Sequence, residues 1–322
     1  LARMNPHLVA GARDGDRRLI GLTYYNGGPF ALFAHQDFAG HIELDAVGSW
    51  ENLLEAMRRL KREGICTHPF SPRWHSSQTG LVWSLLSHLA TEGVLDFSMP
   101  GAPAALSAVV SFLRALVDEA LVPPSCLADR GDAAALDRWV TGQHAITFTM
   151  DYLAMDARER AGRPINVPAA RLPGRTGTPL MPGHALLCTR AGLDADMQRR
   201  ATSLLAYLGG LAPDGSPRVH ARWLSERLFA VPYPELDHAD DMRAAAALAF
   251  PSAIADTCVQ RLMLARQAAV VSPPTHAPWF LEWSAFCDGT VRDDLHSADR
   301  ASPEATAEVL LERWVELSTG RR

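Results

Sequence analysis

The side chains in this sequence best suited to holding a ligand are aromatic rings and hydrogen-bonding groups at the expected ends of structural elements. Tyr24 adjoins the pair Gly27-Gly28, Trp74 lies in the loop SPRWHSSQTG, Tyr152 follows a strand, Trp223 sits in a polar stretch expected to form a turn, and Trp279 follows Pro278. The apolar face of such a ring complements the C–H face of a sugar, while Asn26, Asp151 and His184 offer donors and acceptors to its hydroxyls. Together they describe a site for a neutral polyol. Any one ring is equally well explained by core packing. Several at strand-to-helix junctions suit a cleft better, because α/β proteins bind ligands beyond the carboxyl ends of their strands.

Catalytic signatures are missing. Neither G-x-G-x-x-G nor G-x-x-x-x-G-K-[ST] occurs, nor H-E-x-x-H or G-x-S-x-G, so the common nucleotide, zinc-protease and serine-hydrolase chemistries have no foothold. The 12 histidines are scattered, and the pairs His35/His41 and His68/His75 lack further ligands at metal-site spacing. No catalytic residue, metal ligand or cofactor is therefore assigned. Cys66, Cys126, Cys188, Cys258 and Cys287 are widely spaced and odd in number, which implies neither a zinc knuckle nor a full disulfide framework and leaves one bridge open.

The elements that must position these residues follow from periodicity. Leu19–Phe38 reads as two short strands around Gly27-Gly28, where the chain can change direction or lobe. Ser49 offers an N-cap to a helix whose Trp50, Leu53, Leu54, Met57 and Leu60 share one face, with Gly64 as its stop. Further helices are expected from Gly80 to Thr91, Ala102 to Leu121 and Asp132 to Val140. In HAITFTM the residues Ile146, Phe148 and Met150 alternate with Ala145, Thr147 and Thr149, the period of a strand that ends at Asp151 and Tyr152. After a Gly- and Pro-rich stretch come the strand HALLCT and a helix bearing Met197, Leu204, Leu205 and Leu208. The remainder is expected to be helical over Asp240–Phe250, Ala253–Gln267, Trp279–Cys287 and Pro303–Ser318. Strands alternating with helices indicate an α/β architecture.

Composition sets the outer bounds. A chain of 322 residues, 48% hydrophobic and 21% charged, can bury a substantial core and is long enough for two lobes. Its 31 basic and 36 acidic residues leave a net charge of −5 without long runs of one sign, so nucleic acid is not an expected partner. No stretch approaches the ~18–20 apolar residues that span a bilayer.

Taken in order, these segments resemble an extracellular solute-binding protein of a carbohydrate ABC importer, the family that includes maltose-binding protein. GLTYYNGGPFALFAHQDF resembles that family's hinge strand, and GSWENLLEAMRRLKREGI its following helix. TGQHAITFTMDYLAMDA resembles the segment that places an aromatic residue, here Tyr152, after a strand. PGHALLC resembles a second hinge strand and SPEATAEVLLERW the terminal helix.

The resemblance implies an α/β fold of two discontinuous lobes with a hinge of crossing segments near Asn26–Pro29, Pro182–Ala185 and Ser272–Thr275. Lobe one would comprise residues 1–27 and 184–272, and lobe two residues 28–183 and 273–322. The implied function is capture of a sugar or oligosaccharide between the lobes for delivery to ABC permease subunits, by a monomeric, extracytoplasmic protein that is not an enzyme. The implied ligand-binding residues are Tyr24, Asn26, Trp74, Asp151, Tyr152, His184, Trp223 and Trp279. Far fewer residues precede the hinge strand than in family members, so the opening part of lobe one is expected to be missing. A carbohydrate-active hydrolase using Asp151, and an intracellular sensory domain of the same fold, are the alternatives.

Overall fold

The computed structural model describes residues 2–4, 8–9, 13, 21–26, 28–77, 80–181, 184–187, 192–271, 277 and 279–320. Strands β1 (Leu22–Asn26) and β2 (Phe30–His35) flank the expected break. Helix α1 (Trp50–Arg62) begins where the Ser49 hydroxyl accepts the Asn52 amide at 3.2 Å, and it buries the five apolar residues of its predicted face. Gly64 follows at φ +69°, a conformation that favours glycine and ends the helix. Strand β3 (Phe70–Pro72) and helices α2 (Gly80–Thr91) and α3 (Ala102–Asp118) come next. Helix α3 stops three residues before the expected end because Ala120 turns left-handed at φ +48° and the Leu121 amide returns to the Leu116 carbonyl at 2.9 Å.

Helix α4 (Asp132–Val140), β4 (Ile146–Met150) and α5 (Leu153–Ala161) precede the short strands β5 (Asn166–Pro168), β6 (Leu180–Met181) and β7 (His184–Leu187). Then come helices α6 (Ala195–Gly209), α7 (Arg218–Arg227), α8 (Asp240–Ala247) and α9 (Ala255–Ala268), strand β8 (Val270–Val271), and helices α10 (Phe280–His296) and α11 (Pro303–Thr319). Trp223 therefore lies on a helix, not in the expected polar turn. Helix α10 runs well past the expected Cys287, because Val291 and Leu295 continue its buried face.

The central sheet has the order β3-β4-β2-β5. Strands β2 and β4 run antiparallel with Phe30 opposite Met150 and Phe33 opposite Thr147, while β3 joins β4 in parallel. Pro72 and Pro168, which cannot donate to a ladder, sit on the two edge strands. One face carries Phe30, Leu32, Ile146, Phe148 and Met150 into a cluster with α1, α2, α3, α10 and α11. The other carries Ala31 and Phe33 into a second cluster with Trp139 of α4, Met155 of α5, and Cys258, Val259, Leu262 and Met263 of α9. The alternation read in HAITFTM is real, but Thr147 and Thr149 are buried too, since helices cover both faces.

Strand β1 leaves this sheet and pairs antiparallel with β7, Leu22 opposite Leu187. Strand β6, just before β7, pairs in parallel with β8. Asn26 thus stands opposite His184, and Met181 opposite Val271. Residues 182–183 and 272–276 of two predicted crossings lie outside the described residues. Helix α6 is largely exposed, and Met197, Leu204 and Tyr207, the last at 69%, face solvent.

Candidate functional site

Asp151 stands one residue beyond β4, and its amide donates to the Pro29 carbonyl at 2.9 Å, which fixes it against the start of β2. The side chain is fully buried and paired with Arg266 of α9, Nε to Oδ2 at 2.7 Å. Arg266 also donates through Nη2 to the Leu228 carbonyl. Gly28 is the third member of this cluster. It adopts φ +74°, and a Cβ there would lie 2.1 Å from Asp151 Oδ1, so only glycine lets the chain pass this closely over the carboxylate. The passage between β1 and β2 is thereby seated on an ion pair that joins β4 to α9.

Tyr152, half-buried, packs edge-on against Phe229 with ring centroids 4.7 Å apart. Phe229 in turn meets Trp223 at 5.4 Å. Helix α7 supplies Trp223 and ends at Leu228, whose left-handed φ of +59° starts the turn that bears Phe229. Three half-buried rings thus form one group beside the Asp151–Arg266 pair, drawn from residues 152 and 223–229.

The structure brings three of the expected residues together, Asp151, Tyr152 and Trp223. It also adds Phe229 and Arg266. Neither carries a sequence signal, since Phe229 stands in the short apolar run LFAVPY that reads as core and Arg266 is one basic residue in the last turn of a helix. Trp74 is elsewhere. At 1% exposure it sits inside the first core cluster, so its ring offers no face to a ligand here. Trp279 belongs to another aromatic group, edge-on to Trp314 at 4.8 Å, with Trp283 and Phe97 behind it. The register of β1 and β7 sets Asn26 opposite His184 along the backbone, while the side chains of Tyr24, Asn26 and His184 lie outside the described residues.

Asp151, expected to accept hydrogen bonds from ligand hydroxyls, is engaged by Arg266 instead of facing solvent. A second carboxylate, Asp132, takes Arg73 and His75, the latter at 2.7 Å. Burial alone would raise the Asp132 pKa, but hydrogen bonds from these two side chains hold it well below the usual carboxylate range. His88 is stacked on Trp50 at 4.0 Å, and burial pushes its pKa down to about 3.

Cys66, Cys126, Cys258 and Cys287 are free, buried thiols, and Cys188 lies outside the described residues. Burial pushes Cys126 up to about 12 and Cys258 up to about 11, far from thiolate reactivity at neutral pH. Among the described residues no group of three or more His, Cys, Asp and Glu converges as a metal site, and no helix is long and apolar enough to cross a membrane. An open groove of about 1210 Å³ lies between α3 and α11 and is lined by none of the eight expected ligand-binding residues.

No protein-family model matches this chain, and no curated protein does. Solved structures do. Maltose-bound MalE3 of T. maritima superposes with a TM-score of 0.73 at 15% identity, over 99% of this chain and 76% of its own. The GacH receptor of Streptomyces glaucescens, solved unliganded and with acarbose, gives 0.71 at 14% identity over 100% of this chain and 76% of its own. The sugar-binding protein MalE of Xanthomonas citri gives 0.68 at 14% identity over 100% and 76%. These similarities show the fold, a two-lobed periplasmic-binding-protein-like α/β architecture with discontinuous lobes and crossing segments.

Proposed function

We propose that this protein captures a sugar or oligosaccharide between its lobes and delivers it to the permease subunits of an ABC importer, acting outside the cytoplasm as a monomer and without chemistry. The observation that carries this reading is the group Tyr152–Phe229–Trp223, half-buried rings set beside the crossing of β1 into β2. Aromatic rings are the side chains whose apolar faces complement the C–H face of a sugar. The three neighbours above are themselves named as binding maltose, acarbose or sugar. Asn26 and His184, opposite one another along the backbones of β1 and β7, belong to the proposal as candidate partners for the sugar hydroxyls.

Asp151 and Arg266 have a positioning role in this reading. Their bond joins β4 to α9, and Gly28 passes over it, so the pair holds the passage from β1 to β2 in place. A hydrolase would need a carboxylate presented to substrate, and a fully buried aspartate bonded to arginine does not supply one.

A thermal-shift panel of mono- and oligosaccharides tests the reading. A ligand bound by the native state alone stabilises it by about 2.7 kcal/mol at one hundred times its Kd. At least one sugar is expected to raise the Tm, and Tyr152→Ala to remove the shift. A panel without any shift, or a shift unchanged in Tyr152→Ala, contradicts the assignment.

A further inference from the structure

Helices α3 and α11 lie side by side with the open groove of about 1210 Å³ between them. Its α3 side is built from small residues, among them Ala104 and Ala108, both exposed, and Leu311 and Val315 of α11 add apolar surface. Along the same wall run Glu304, Glu308, Glu312 and Glu316, spaced four apart over about 18 Å of helix. Like charges at that spacing weaken a helix, so the middle pair, Glu308 and Glu312, does not serve the stability of α11. Its two ends are engaged, Glu304 by the Ser107 hydroxyl at 3.0 Å and Glu316 by Arg313 at 3.0 Å. Neither Glu308 nor Glu312 forms an ion pair with any described residue.

We infer that this groove docks a cationic amphipathic helix of a partner protein, with Lys or Arg at four-residue spacing facing the glutamates and small apolar residues filling the trough. The alanines leave room for a third helix to approach closely, and the carboxylate row fixes its charge and register. A second copy of this chain fits poorly. A two-fold contact through the groove sets one glutamate row against the other, and Arg218 and Arg222, which share the required spacing on α7, are already bonded to Asp214 and Glu226. This surface is independent of the proposed sugar site, none of whose residues line it.

The test is fluorescence anisotropy of a labelled synthetic helical peptide with Lys at every fourth position and Ala and Leu between, compared with a scrambled peptide of equal composition. Saturable binding is expected for the periodic peptide and much weaker binding for the scrambled one. Added salt should weaken it, and the double variant Glu308→Gln, Glu312→Gln should weaken it about fivefold. Ala108→Trp, an exposed position that fills the trough, should abolish it, with circular dichroism melting confirming that both variants fold. Equal binding of the two peptides, or binding unchanged in the glutamate variant, overturns the inference. So does a dimer in sedimentation velocity that Ala108→Trp dissolves, which would assign the groove to self-association.

Discussion

Removing either partner of the Asp151–Arg266 pair leaves a charge stranded in the core, at a cost of about 3–5 kcal/mol. Replacing both at once should cost clearly less than the sum of the single changes. Urea unfolding of Asp151→Asn, Arg266→Met and the double variant measures this, and simple additivity would mean that the pair is not coupled. Tyr152→Ala and Phe229→Ala are each expected to weaken sugar binding by about 1–3 kcal/mol with little loss of stability. Trp74→Ala should do the reverse, costing about 3–5 kcal/mol of stability as a core cavity. His88 gives a pH prediction. Its folded pKa of about 3 lies below the ordinary 6.5, so the unfolded chain binds the extra proton between those values and stability falls as pH drops through that window. The slope from this one group is at most about 1.4 kcal/mol per pH unit, and His88→Phe should flatten the stability profile between pH 6 and 4. His35 and His144, lowered by burial in the same direction, keep some slope in the variant. At this scale the sequence exposed residue types but not burial. Asp151 and Tyr152 stood out because a strand ends at them, whereas nothing in the spacing of Trp74 distinguished a buried ring from one lining a cleft.

Among the elements, the passage from β1 to β2 is the most constrained. Gly28→Ala places a methyl group on the Asp151 carboxylate in a left-handed backbone, and it should destabilise the protein by about 1–3 kcal/mol while disturbing ligand binding through the hinge. A variant with unchanged unfolding and affinity would show that the close approach is not required. Helices α1 and α2 were legible because an apolar face ran up to a glycine stop in each, and α1 had its Ser49 cap as well. Helix α7 was not. Only His220 and Leu224 of its ten residues are buried, so its apolar period is one pair long amid arginines. The strands β3, β5, β6 and β8 have two or three residues each, too few for a period, and exist because their neighbours in the sheets complete the ladders.

Over the whole molecule, the α/β class and a break between the strands now seen as β1 and β2 were readable from alternation and glycine placement, and the order of segments carried the resemblance to solute-binding proteins. The joining of residues 228–263 to residues 31–165 in one apolar cluster was not readable, because contacts between segments so far apart in sequence leave no local pattern. That cluster, with the Asp151–Arg266 pair, holds α9 against the sheet that carries β2 and β4. Ligand capture between lobes without turnover is the central claim. Isothermal titration of maltooligosaccharides and chitooligosaccharides into the protein, with chromatography of the sugar afterwards, tests it most directly. Saturable one-to-one heat from at least one sugar, recovered unchanged and lost in Tyr152→Ala, is the predicted result. Shortened sugar products, or the absence of binding across both series, would contradict it.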